Sequence, residues 1–455
     1  MRCFRLLPVA LLAAAVGPAA AAADAPWSEP ATIPGASGYD AELVFTLAGR
    51  GVLATTDASA TNGQGTLLAP VGTDGRPGSG RRVRITGGLV AAYAKDHVLL
   101  AGTTPATTGA EADVARVEVA VGTPAGGVGT PRALPQTTRQ QLLAVAGGPD
   151  GTAALVTGSY TGHRERVVWI RRGGVTRRAL TIRVGERARG AAVAVDSHGD
   201  VLVVYEDDHA IFSRHLGRTG RAAPAHRLGA GVQSLIQARF AESGRQEVAW
   251  ISQRVSEGDA ASPAVVSYTS AARGRGFTAA RVVGRSNVTG AGRYVQGPGV
   301  RLVGSGSDSS ILALTVHDGS RYRVRVADVV AGSVEAAQTV SPDGEDDVLG
   351  ALAYARAGGT VVLWRTGTRG ADASGPQRVV ARVRPPGAVA FGPSEGVSPP
   401  VDSSSSQARD AATVPYAPGA AIDPVTGTAL AAFGFLAPGV ALSARPAGRE
   451  SGPRL

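Results

Sequence analysis

The sequence predicts an all-β fold in which four-stranded units repeat around a ring. Three observations lead there. The 455-residue chain carries 62 Gly and 28 Pro, too many turn formers and helix breakers for long helices. A unit of about fifty residues recurs along the chain. In most units, one short apolar run follows a turn and ends on an aromatic residue or threonine.

That run is clearest in four places. Gly199 leads to Tyr205 in GDVLVVY, Gly244 to Trp250 in GRQEVAW, Gly358 to Trp364 in GGTVVLW and Gly427 to Phe433 in GTALAAF. GRGVLAT from Gly49 and GTAALVT from Gly151 keep the frame but end in Thr55 and Thr157, while KDHVLLA from Lys95 and SSILALT from Ser309 are fainter copies. Turn signals precede the runs, such as DSHG before Asp200 and DPVTG before Thr428. The runs themselves are almost continuously apolar, as in Val201, Leu202, Val203 and Val204. A half-exposed strand alternates; a strand covered on both faces does not. Each run is therefore read as a central strand between two neighbouring sheets.

The other strands follow in order. An Ala- and Gly-rich strand precedes each turn, as in LGALAYA from Leu349, and suits a crowded position near an axis. A third strand follows the central one, as in HAIFSRH from His209. Its alternation places it nearer solvent. A short fourth strand ends seven of the units, as in FTAARVV from Phe277. The eighth unit ends ALSARPAGRESGPRL and lacks one. The segment WSEPATIPG, residues 27–35, has the missing pattern. Four-stranded units arranged radially make a β-propeller, and building one blade from both termini protects the edges where the ring meets. The expectation is eight four-stranded blades within residues 24–446, closed by the N-terminal strand. The two faint repeats leave seven as the alternative count. A pair of β-sandwiches is the competing arrangement of short strands.

Residues 1–23 read as a signal peptide. Arg2 and Arg5 precede an apolar run from Leu6 to Val16 that is too short to span a bilayer, and small residues surround Ala23. The protein is thus expected to be secreted, with residues 447–455 as a tail. The one cysteine, Cys3, lies in that leader, so no disulfide, thiolate metal site or cysteine nucleophile is expected. No later stretch reaches transmembrane length. The net charge is +10 and almost wholly arginine. Base composition accounts for such a bias, and affinity for an anionic polymer is the functional reading. Scattered arginines and few aromatics argue against a nucleic-acid module.

The leader, the Gly-x5-aromatic strand and the FTAARVV-type ending resemble secreted bacterial β-propeller proteins. The resemblance implies the fold and no catalytic residue. Asp-box, Trp-Asp and Tyr-Trp-Thr-Asp signatures are missing, and SGSDSS around Asp308 only faintly resembles an Asp-box.

In a propeller, the second-to-third and fourth-to-first connections share one face. Sorting charges by connection places Glu206, Asp207, Asp208 and His209 of YEDDH there. Asp318 joins them, with Asp343, Glu345, Asp346 and Asp347 of SPDGEDD, Glu257 and Asp259, and Glu111 and Asp113. Arginines gather in the turns of the opposite face: Arg76, Arg81, Arg82, Arg171, Arg172, Arg218, Arg221, Arg273, Arg275 and Arg384. The expectation is a polarised disc with its ligand site among Glu206, Asp207, Asp208, His209, Asp318, Asp346 and Asp347. YEDDH itself has three readings: a solvated turn, a hard-cation site such as calcium, or an acid/base pair. Calcium is the one cofactor considered. His215 and His226 fall on outer strands, away from that face. No HExxH, GxSxG or phosphate-cradling loop occurs. Two long connections, 285–299 and 398–415, also reach the acidic face. The expected function is non-catalytic binding of a protein or cell-envelope polysaccharide by a monomer. The alternative is a glycoside hydrolase or polysaccharide lyase using the carboxylates.

Overall fold

A computed structural model describes residues 26–57, 65–104, 116–138, 140–159, 165–185, 190–231, 235–252, 264–286, 299–318, 321–342, 347–366, 376–402, 416–434 and 440–447. The leader 1–23 and residues 448–455 of the tail lie outside them.

The chain folds into eight antiparallel blades around one axis. Blades 1 to 7 span residues 36–83, 86–133, 140–183, 191–230, 235–286, 300–339 and 348–402. Blade 8 is built from both ends of the chain. Its inner three strands are Tyr416–Ile422, Ala429–Gly434 and Val440–Arg445, and its fourth is Ala31–Ile33. Ala31, Thr32 and Ile33 pair with Leu442, Ala441 and Val440. Ser28 extends the join: its amide donates to the Ala444 carbonyl at 2.7 Å, and its hydroxyl accepts from the Ala444 amide at 3.0 Å. One parallel bridge, Ser286 to His317, links blades 5 and 6 and leaves each blade's own order intact. Each inner strand neighbours the next, and Tyr416–Ile422 returns to Ala36–Phe45. The ring is closed with eight blades, not seven.

The repeated glycine has a backbone role. Gly199 and Gly244 both sit at φ 80, a left-handed conformation that a side chain disfavours, in the tight turn between the first and second strands. The aromatic six residues later has a packing role. Tyr205, Trp250, Trp364 and Phe433 are buried, and each packs with residues of the preceding blade. Eight apolar clusters result, one at every blade interface. The cluster between blades 8 and 1 joins Ile33, Leu430 and Leu442 to Leu43, Leu53 and Leu67.

The third strands depart from expectation. Val440–Arg445 is buried throughout, and Thr66–Val71 nearly so. Their alternation sends residues into two flanking blade interfaces, and polar residues such as Ser443 find partners there: its hydroxyl donates to the Ser28 carbonyl at 2.7 Å. Solvent is met one strand further out, at the rim, where Arg81, Arg82, Arg132 and Ala133 are exposed. Some inner strands are only half-covered, as in Gln140–Gly147, whose free edge faces the axis.

Ile33 is 1% exposed while Thr32 beside it is exposed. Ile33→Ala is expected to lower the unfolding free energy by about 2–5 kcal/mol, and Thr32→Ala by no more than about 0.5 kcal/mol. Denaturant titration of the two variants checks both.

Candidate functional site

The sequence-derived ligand residues are held by local structure. Asp208 and His209, at φ 38 and φ 69, form a two-residue hairpin turn between Val201–Asp207 and Ala210–Leu216. Both central residues are left-handed, which matches the twist of the flanking strands. The Asp207 carboxylate accepts from the Gly185 amide at 2.7 Å. Glu206 is buried and accepts from the Gly190 amide at 3.2 Å. Arg166 is buried near it; burial lowers the guanidinium pKa, against the opposing charge of Glu206. Asp318 holds its own loop, accepting from the Arg321 amide at 2.9 Å and from Arg323 Nε at 3.3 Å. Asp347 is fully buried, and its amide donates to the Tyr322 carbonyl. Asp346 lies outside the described residues, as do Glu111, Asp113, Glu257, Asp259, Asp343 and Glu345. So do 287–298 and 403–415 of the two long connections. The YEDDH turn belongs to blade 4 and Asp318 to blade 6, with blade 5 between them. Among the described residues no three His, Asp or Glu groups are placed to hold a metal ion.

The polarised disc does not hold among the described residues. On the face expected to be basic, arginines meet acids of neighbouring blades. Arg50 pairs with Asp96 at 2.8 Å, Arg245 with Asp308 at 2.8 Å, Arg384 with Asp328 at 2.7 Å and Arg445 with Glu395 at 3.1 Å. The last three use two guanidinium nitrogens each. These arginines fasten blade to blade. The acidic face holds Arg166 and Arg323 among its carboxylates.

Two recesses remain. One lies on the axis and encloses about 470 Å³. Glu42, Gly87, Gly88, Ala351 and Gly419 contribute to its wall from blades 1, 2, 7 and 8, and Arg301 from blade 6. The inner strands of blades 1, 2, 7 and 8 each slip register near this space. Such bulges re-aim backbone and side chains. The Glu42 carboxylate accepts from the Val90 amide at 2.8 Å. It thereby satisfies a donor on the axis-facing edge of the next inner strand. Burial lowers the Arg301 pKa to about 10, against the opposing charge of Glu42.

The second recess, of about 460 Å³, is a cleft between blades 4 and 5 on the arginine-rich face. His226 stacks on Phe277, with centroids 5.9 Å apart and planes 20° apart. His215 meets Phe240 edge-on at 6.4 Å, and its Nε2 lies 3.7 Å from an Asp200 carboxylate oxygen. Arg273 and Arg275 are exposed on the rim. His215 and His226 thus lie in a recess after all. Sequence spacing missed it because its walls come from two units. The one local signal is RGRGF, residues 273–277, a turn with two arginines and an aromatic.

No protein-family model matches the chain, and no curated protein matches it in sequence. Among solved structures, a puromycin hydrolase is similar at 14% identity and a TM-score of 0.46, over 80% of this chain and 54% of that one. A prolyl endopeptidase is similar at 13% identity and a TM-score of 0.44, over 88% and 54%. The chain spans about half the length of both. A protein from Lactobacillus plantarum is similar at 13% identity and a TM-score of 0.41, over 76% of this chain and 97% of that one.

The Arg245–Asp308 pair yields a pH test. Hydrogen bonding from Arg245 holds the Asp308 pKa below its ordinary value, against partial desolvation. A lowered carboxylate pKa adds stability above the unfolded-state pKa, and that stability is lost as pH falls through the folded-state value. Asp308→Asn is expected to cost up to about 1 kcal/mol at pH 7, as a partly exposed pair. The difference from wild type should shrink below a pH of about 4. Denaturant titrations at pH 7 and pH 3 check it.

Proposed function

We propose that the protein is an exported, non-catalytic binding module for an acidic polysaccharide of the cell envelope. The cleft between blades 4 and 5 carries this reading. Phe277 and His226 provide a ring surface of the kind that packs against the apolar face of a sugar. Arg273 and Arg275 at its rim suit carboxylates on the polymer. The net charge of +10, or +8 without Arg2 and Arg5 of the leader (10 − 2), favours the same partner at long range. Glu206, Asp207 and Asp318 on the loop face hold neighbouring loop amides, which supports binding over acid/base hydrolysis. Export rests on the leader, residues 1–23.

Co-sedimentation with insoluble pectate, a uronate polymer, tests the reading. Binding is expected at low salt and should weaken steeply as salt rises. Phe277→Ala should weaken it about tenfold or more, as for an aromatic anchor, and Arg273→Ala with Arg275→Ala should reduce its salt dependence. Equal binding to neutral cellulose, or indifference to both changes, contradicts the proposal. Release of new reducing ends or unsaturated uronides would make the protein an enzyme.

A further inference from the structure

The axial recess lies apart from the cleft and has a different chemistry. Its position follows from strand periodicity. On the inner strand Val300–Gly304, Val300 and Leu302 are buried in the cluster between blades 5 and 6. Arg301 between them turns to the other side, towards blade 7 and the axis. Apolar neighbours would fill that position with a Val or Leu at no electrostatic cost. An arginine there is half-buried, and burial lowers its pKa.

Among the described residues Arg301 makes no hydrogen bond or ion pair, and Glu42 acts on it through charge. One Glu42 oxygen is already committed to the Val90 amide. The unused donors of Arg301 face the recess instead of a protein acceptor.

The wall around it keeps space open. Gly87 lies in a bulge at φ 59, and a Cβ there would meet nothing within 4 Å. Ala351 and Gly419 follow the bulges of blades 7 and 8 and are small. A recess of about 470 Å³ falls within the range of small-molecule sites, roughly 300–1,000 Å³. Its wall is about evenly polar and apolar, and Arg301 is its charged donor.

We propose that the axial recess is a binding site for a small organic monocarboxylate, with Arg301 as its anchor. A carboxylate matches the planar donor fork of a guanidinium, which can hold both oxygens at once. The nearby Glu42 charge disfavours a second negative charge, so dicarboxylates and phosphate are rejected. The small residues of the bulged wall leave room for the ligand's body. This site goes beyond polymer binding and does not depend on it: Arg301→Met should leave pectate co-sedimentation unchanged, and Phe277→Ala should leave the axial site unchanged.

Thermal unfolding of the full mature chain tests the proposal, with butyrate, benzoate and glucuronate as probes and benzamide and inorganic phosphate as controls. At least one monocarboxylate is expected to raise Tm saturably, because a ligand specific to the folded state stabilises it by mass action. Benzamide and phosphate are expected not to. Arg301→Met should abolish the carboxylate response. Arg301→Lys keeps the charge without the fork and should weaken the response. The proposal is overturned if no probe carboxylate shifts the wild type, if phosphate acts as well as they do, or if Arg301→Met still responds. An unliganded Tm below wild type in Arg301→Met, or its failure to fold, also overturns it by making Arg301 a structural brace.

Discussion

The ring depends on one short pairing, Ala31–Ile33 against Val440–Arg445. Each blade contributes half of two apolar interfaces, so no blade buries its faces alone. Blade 8 is the only one whose strands come from distant parts of the chain. Without its fourth strand, the rim edge of Val440–Arg445 would be bare, and Ile33 would leave the cluster that joins blade 8 to blade 1. Trp27, just ahead of the strand, is buried in the cluster on the other side of the same blade, between blades 7 and 8. The N-terminal segment therefore seals two interfaces. A chain with no cysteine after residue 3 has no disulfide for this task and relies on packing, hydrogen bonds and ion pairs such as Arg445 with Glu395.

Closure also explains how the charges are spent. Neighbouring blades meet at their apolar centres, and the turns at the ends of those interfaces carry paired Arg and Asp or Glu. Arg239 and Glu247 of blade 5 lie 3.2 Å apart, and Ser310 of blade 6 hydrogen-bonds both. Tyr268 donates to the same Glu247 at 3.1 Å, and burial first, then the Glu247 charge, push its phenol pKa up. Ionic groups used this way fix how blades dock. The groups that do not fit this pattern stand out against it: Arg301 on the axis, and the imidazole and phenyl rings between blades 4 and 5.

Much of the ring was legible in the sequence because its rules are local. A left-handed glycine such as Gly199, four apolar residues and a terminal Tyr205 mark a turn, a doubly covered strand and an inter-blade plug. Even the split blade could be read, since WSEPATIPG completes a pattern that the C-terminus leaves unfinished. The third strands were misplaced towards solvent because alternation tells which residues face opposite ways, not what covers either face. The sites were less legible. Glu206 looked like an exposed loop acid, but its side chain turns into the structure beside Arg166 of the preceding blade. Arg301 reads as an ordinary alternating polar residue in GVRLVG, and only the bulges of other blades make its surroundings a cavity. His215, His226, Phe240 and Phe277 come together only when two units are placed side by side.

Hydrogen exchange of the N-terminal segment tests the closed ring most directly. The amides paired with Val440–Arg445, in a peptide covering residues 27–35, should be protected to the same degree as those of Val440–Arg445 and should exchange only with them, in one cooperative opening. Exchange of the 27–35 peptide at the rate of an unstructured chain, while Val440–Arg445 stays protected, would contradict closure by the N-terminal strand.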